Sequence, residues 1–196
     1  PLIAHRAVGW LHEAGVPRAA LQLLPGGAGT GASLTAQPAL TGVAFTGSTA
    51  TARAIRRTLA EGALGRPLIA ETGGVNAMVV DSTALPEQAV RDVLASAFRS
   101  AGQRCSALRC LYLQQDVAGP VLEMLEGALA ELRPGDPWDL ATDLGPVIDE
   151  SARQGILRHV GQARAEGRLL AELPVPAQGT YVAPAVIRVG GIGEIE

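Results

Sequence analysis

Cysteine is scarce in this chain. Its 196 residues hold two, Cys105 and Cys110, close together in one segment. That excludes a disulfide-stapled secreted framework and fits a reducing, cytoplasmic compartment. Long hydrophobic runs are missing too. Arg, Gly or Pro interrupts every apolar stretch well short of the ~18 to 20 residues that span a bilayer, and no basic-then-apolar leader opens the chain. Neither a membrane span nor a secretory signal is expected. Charge of one sign is not in excess: 16 bases and 19 acids are interspersed and leave a net −3. Without a basic face, contact with nucleic acid by this segment is not expected. The three histidines, His5, His12 and His159, are scattered. No group of Cys, His or acidic residues has metal-ligand spacing, so no metal site is expected.

What remains is ordinary for a globular chain able to bury a core, with 47% hydrophobic and 18% charged residues in one or two domains. The sequence opens directly into helix-like residues at Pro1-Leu2-Ile3-Ala4 and stops at Glu194-Ile195-Glu196 without a terminating signal. It reads as part of a longer chain.

Ile3, Ala7, Val8 and Leu11 recur at helical spacing, and Gly15 then Pro17 provide a stop, so a helix is expected over 2–14. Residues 21–24 read as a buried strand, 26–31 as a glycine-rich loop, 43–45 as a strand and 49–61 as a helix. Strands at 68–70 and 77–80, a helix at 86–100, a strand at 107–114 and a helix at 117–132 follow. A long Pro, Gly and Asp-rich connection over 133–149 precedes a helix at 150–166 and a last strand at 181–189. Alternating strands and helices, with strands that are continuous apolar runs, predict an α/β fold whose parallel-sheet layers are covered by helices.

Four places could carry chemistry. Gly27-x-Gly29-x-x-Ala32 matches the relaxed dinucleotide fingerprint, but the acidic residue due about 20 positions on is missing, and Thr49, Ala50 and Thr51 stand there instead. With 24 glycines in the chain such a match arises easily by chance, and an ordinary loop is the favoured reading. In Thr46-Gly47-Ser48-Thr49 a strand ends in a glycine and hydroxyls sit at a helix N-terminus, suited to phosphate or to plain capping. Glu71 stands at the C-terminal end of a strand, where open α/β sheets bind ligands, although a solvated loop acid is the commoner case. Cys105 lies in Gly102-Gln103-Arg104-Cys105-Ser106, a polar, loop-like segment with Arg99, Arg104 and Arg109 nearby, and cations favour the reactive thiolate. Cys110, in an apolar run, reads as inert core.

Phe45-Thr46-Gly47-Ser48-Thr49, Glu71-Thr72-Gly73-Gly74 and Gly102-Gln103-Arg104-Cys105, in this order and at these separations, resemble the aldehyde dehydrogenase superfamily. The longer stretches Ile69 to Met78 and Ser100 to Arg109, with Asp143 to Asp149 and Tyr181 to Pro184, resemble the L-glutamate γ-semialdehyde dehydrogenase module of the proline utilization A group. The resemblance covers essentially the whole chain. It implies an incomplete aldehyde dehydrogenase fold, with 1–71 the C-terminal part of the NAD-binding domain and 72–196 the N-terminal and central part of the catalytic domain. It implies that Cys105 attacks the aldehyde and Glu71 is the general base for thioester hydrolysis. Thr46, Gly47, Ser48 and Gly73 would bind NAD, and Ser106 would contact substrate. The substrate would be L-glutamate γ-semialdehyde and the product glutamate, in proline catabolism.

Several parts of the family pattern are not in this sequence. The Pro-Trp-Asn segment that completes the oxyanion hole and the lysine at the adenosine ribose would precede Pro1, and the Glu-x-Phe-Gly-Pro segment at the nicotinamide ribose would follow Glu196. The isolated chain is therefore expected to fold poorly and to be almost inactive. The resemblance further implies a homo-oligomeric full-length protein, fused in bifunctional members to a proline dehydrogenase domain and peripheral to the membrane. The rival readings are a non-catalytic structural module of the superfamily, which the presence of both Glu71 and Cys105 opposes, and a generic doubly wound nucleotide-binding domain with no unusual thiol.

Overall fold

The computed structural model describes residues 1–62 and 65–195, so the last residue of the Glu194-Ile195-Glu196 end lies outside the described residues. The chain divides into two compact units, Pro1–Gly73 and Gly74–Glu196.

The first unit holds α1 (Leu2–Glu13), α2 (Ala28–Thr35), β1 (Val43–Gly47), α3 (Thr49–Gly62) and β2 (Leu68–Thr72). β1 and β2 pair in parallel, as the intervening helix requires. α3 buries Ala52, Ile55 and Leu59, one stripe at helical spacing, and packs on both strands. Two expectations fail here. Residues 21–24 form no strand: the segment joins no ladder among the described residues, and Leu24 is exposed. The glycine-rich segment is not a loop, because Gly27 is the N-cap of α2 and Gly29, Gly31 and the fingerprint's Ala32 lie inside that helix. Glycine disfavours helix by roughly 1 kcal/mol per residue, so packing of α2 on α3 overrides propensity.

The second unit holds β3 (Asn76–Val80), α4 (Pro86–Phe98), a 3₁₀ turn (Arg99–Gly102), β4 (Leu108–Leu113), α5 (Gln115–Ala130), α6 (Glu150–Ala165), β5 (Leu169–Glu172), β6 (Ala185–Ile187) and a final 3₁₀ turn (Ile192–Glu194). β3 and β4 are parallel. Their core is Val90 and Val93 of α4, Leu108 of β4 and Val121 and Leu125 of α5, with Met78, Leu111 and Leu113 packed against it. Fully burying each such side chain contributes about 1.5 to 3 kcal/mol.

Leu108 and Leu111 both reach this core three residues apart, which strict alternation forbids. A register shift explains it: Asn76 pairs with Leu108 but Ala77 with Cys110, so Arg109 is an extra residue bulged out of β4. α4 ends at Phe98 rather than continuing to residue 100, because Ser100 and Ala101 take left-handed backbone. β5 escapes sequence reading: four residues without a β-branched or aromatic side chain carry little strand signal. It pairs antiparallel with β6, which departs from the all-parallel expectation. β6 covers only part of 181–189, since Pro184 just before it has no N–H to donate to a ladder.

Burial on both sheet faces is not observed. Ile69 of β2 and Val79 of β3 are 65% and 75% exposed, because nothing among the described residues covers those faces. No described helix is long and apolar enough to cross a membrane.

α6 starts on a strong local signal. The Asp149 carboxylate accepts the Ala152 N–H at 2.8 Å as its N-cap. Hydrogen bonds from Gln154 and then Arg153 hold the neighbouring Glu150 carboxyl below its usual range. Asp149→Ala should cost about 1 kcal/mol, read from the midpoint of denaturant unfolding.

Candidate active site

In the first unit the register of β1 and β2 places Thr46 beside Glu71 and Gly47 beside Thr72 at the C-terminal ends of the two strands. Neighbouring strands lie about 4.8 Å apart, so two of the motifs meet at one edge. Thr46, Gly47, Ser48, Glu71 and Gly73 are all exposed there. A Cβ on Gly47 would come within 2.5 Å of the tip of the Phe45 ring, which would have to shift to admit it. At Gly73 a Cβ would meet nothing within 4 Å. Ser48 caps α3: its hydroxyl accepts the Thr51 N–H at 3.1 Å and lies 2.9 Å from the Thr51 hydroxyl. Capping satisfies one first-turn donor and leaves the earlier N–H groups of α3 pointing to solvent, where the helix dipole favours an anion. This donor set fits the pyrophosphate of a dinucleotide.

In the second unit Cys105 is exposed and Cys110 is buried on β4. Three consecutive residues ahead of Cys105 adopt positive φ: Ser100 at 57°, Ala101 at 52° and Gly102 at 67°. For the two non-glycine residues this costs roughly 1 to 2 kcal/mol each. Such backbone persists only where its surroundings over-determine it. Here side chains hold the carbonyls. Gln103 donates to Ser100 O at 2.9 Å, and its own oxygen accepts the Ile148 N–H at 2.8 Å. The bulged Arg109 donates to Gly102 O at 2.5 Å, so its guanidinium is committed to the turn and not to the thiol. Gly102 is confined, since a Cβ would lie 2.9 Å from Ala97 O.

Cys105 and Ser106 then sit in a turn closed by the Ala107 N–H on Arg104 O at 3.1 Å. Asn76 donates to Cys105 O at 2.7 Å and to Ala107 O at 2.9 Å. The Cys105 N–H reaches no acceptor among the described residues. The turn therefore presents a thiol and an open backbone donor side by side, the two elements that acyl transfer through a nucleophile needs. Glu71 belongs to the first unit and Cys105 to the second, and each is positioned by contacts within its own unit.

Sequence reading missed the roles of Asn76 and of the bulged Arg109. Asparagine at the head of a strand, where it is a poor strand former, was the available signal for the first. No local signal marks the left-handed alanine. No group of three or more potential metal ligands occurs among the described residues.

The aldehyde dehydrogenase family profile matches residues 1–190. The chain belongs to the aldehyde dehydrogenase family. The bifunctional protein PutA of Salmonella typhimurium is 53% identical over the whole of this chain, which spans 16% of that relative's length. The 1-pyrroline-5-carboxylate dehydrogenase of Geobacillus kaustophilus is 36% identical over 95% of the chain and 37% of its own length. Among solved structures, proline utilization A from Bradyrhizobium japonicum superposes with a TM-score of 0.94 at 52% identity, covering all of this chain and 20% of that one. The 1-pyrroline-5-carboxylate dehydrogenase from Thermus with bound NAD gives a TM-score of 0.86 at 31% identity, over 95% of this chain and 37% of that one. Family and fold class thus agree with the expectation from the three motifs.

Exposure separates the thiols in a way that solution chemistry can read. Iodoacetamide should modify Cys105 in the folded protein while Cys110, 7% exposed, stays unmodified until denaturant is added. Peptide mapping by mass spectrometry checks it.

Proposed function

We propose that this chain is the central part of an NAD-dependent aldehyde dehydrogenase that oxidises L-glutamate γ-semialdehyde to L-glutamate in proline catabolism. The observation that carries this reading is the Cys105 turn, an exposed thiol beside its own N–H, which has no partner among the described residues, on a backbone held by side chains.

The Cys105 thiolate adds to the aldehyde carbon, forming a C–S bond, and the resulting oxyanion accepts the Cys105 N–H. NAD, when bound, would supply the hydride acceptor; loss of hydride from the thiohemiacetal carbon re-forms its C=O bond and leaves an acyl thioester on Cys105. Glu71 takes a proton from a water whose oxygen attacks that thioester. The C–S bond breaks, the carboxylate product leaves, and the thiolate is restored. Thr46, Gly47 and Ser48, with the α3 N-terminus, hold the pyrophosphate side of NAD, Gly73 lines the nicotinamide pocket, and Ser106 contacts substrate. Residues 1–71 accordingly serve the cofactor and residues 72–196 the thiol chemistry.

NAD rather than NADP is supported by the Thermus relative, and the aldehyde by the names of the relatives. The full-length protein is homo-oligomeric, cytoplasmic or peripheral to a membrane, and fused to a proline dehydrogenase domain. Inactivity of the isolated chain is supported by the faces of Val79 and Ile69, which stay exposed among the described residues.

The test is NADH formation by the full-length protein from L-glutamate γ-semialdehyde and NAD. Turnover with this aldehyde above other aldehydes is expected. A folded protein that oxidises no aldehyde would leave the structural-module reading in its place.

A further inference from the structure

We infer that Asn76 is a positioning residue that aims the oxyanion-binding N–H of Cys105, an inference that rests on the reading of Cys105 as the nucleophile. Cys105 is bracketed by two peptide planes, and each is pinned. The 104–105 peptide is held through Arg104 O, which accepts the Ala107 N–H at 3.1 Å. The 105–106 peptide is held through Cys105 O, which accepts the Asn76 amide at 2.7 Å. A trans peptide puts its N–H opposite its carbonyl, so the first plane sends the Cys105 N–H away from the turn. Pinning the second plane as well removes the remaining freedom about the Cys105 Cα. The directions of Cβ, Sγ and N–H then become one fixed geometry.

Asn76 can do this because of where it stands. It heads β3 opposite Leu108, at the register shift that expels Arg109 from β4. The shift brings the end of the Cys105 turn across the head of β3, where one amide nitrogen with two hydrogens reaches both Cys105 O and Ala107 O. Bulges beside active sites commonly re-aim side chains in this way. An aspartate of the same shape offers no donor when ionised and turns two attractions into repulsion between oxygens.

The experiment compares the full-length protein with its Asn76→Asp and Asn76→Ala variants and the Cys105→Ser control. Three quantities are read: kcat and KM for aldehyde oxidation, the rate of Cys105 alkylation by iodoacetamide, and Tm. Alkylation displaces iodide at a saturated carbon and passes through no oxyanion, so it reports the thiol but not the N–H. Misaiming the donor should lower kcat by about 10²-fold while KM and the alkylation rate stay within about threefold of the parent. Parent-like kcat in both variants, with Cys105→Ser inactive, would overturn the inference and leave the nucleophile reading intact. A parallel fall of kcat, alkylation and Tm would also overturn it, since that marks a structural role. A Cys105→Ser variant as active as the parent would remove the nucleophile reading and the inference with it.

Discussion

Cys105→Ser should lower steady-state oxidation of L-glutamate γ-semialdehyde by more than about 10⁴-fold in the full-length protein. Serine keeps the shape of the side chain and the backbone N–H of the turn, and it changes the proposed nucleophile alone. Its hydroxyl needs an adjacent base to ionise, whereas a thiol is already partly ionised near neutral pH. None of the side chains that hold the turn, Asn76, Gln103 and Arg109, can act as that base, because all three are engaged as donors to backbone carbonyls. Tm should be unaffected, since the Cys105 thiol is exposed and fills no core. NADH production measured beside a melting curve checks both parts.

Glu71→Gln should behave differently. In the proposed mechanism its carboxylate acts only on water, after the oxidation step, so the first turnover should survive and the second should be slowed by about 10² to 10⁴-fold. Rapid mixing should show a burst of about one NADH per site followed by a slow steady state. A linear, uniformly slow trace would place Glu71 before or within the oxidation instead. The substitution should be structurally mild, because Glu71 is exposed at the end of β2 and the Thr46 to Glu71 register is made by backbone.

The parallel pairs β1–β2 and β3–β4 and their helices were legible in the sequence because continuous apolar runs such as 43–45 and 77–80 alternate with helical stripes such as Ala52, Ile55 and Leu59. The glycine-rich segment misled for a definite reason. Gly29 and Gly31 argue against helix locally, and the contact that makes α2 helical comes from α3, which local propensity does not report. In the candidate site the groups proposed to react were legible as residue types at strand and helix ends. The apparatus that holds them was not. The left-handed Ala101 stands in a turn whose Gln103 is tied to the distant Ile148, and the bulged Arg109 and the double grip of Asn76 depend on the pairing of β3 with β4.

Intact-protein mass spectrometry of the Glu71→Gln full-length protein, quenched in acid during turnover with L-glutamate γ-semialdehyde and NAD, tests covalent catalysis by Cys105 most directly. The account predicts an acyl adduct of the glutamyl thioester that peptide mapping places on Cys105 and that hydroxylamine removes. An adduct on another residue, or aldehyde oxidation with no adduct and an unmodified Cys105, would contradict it.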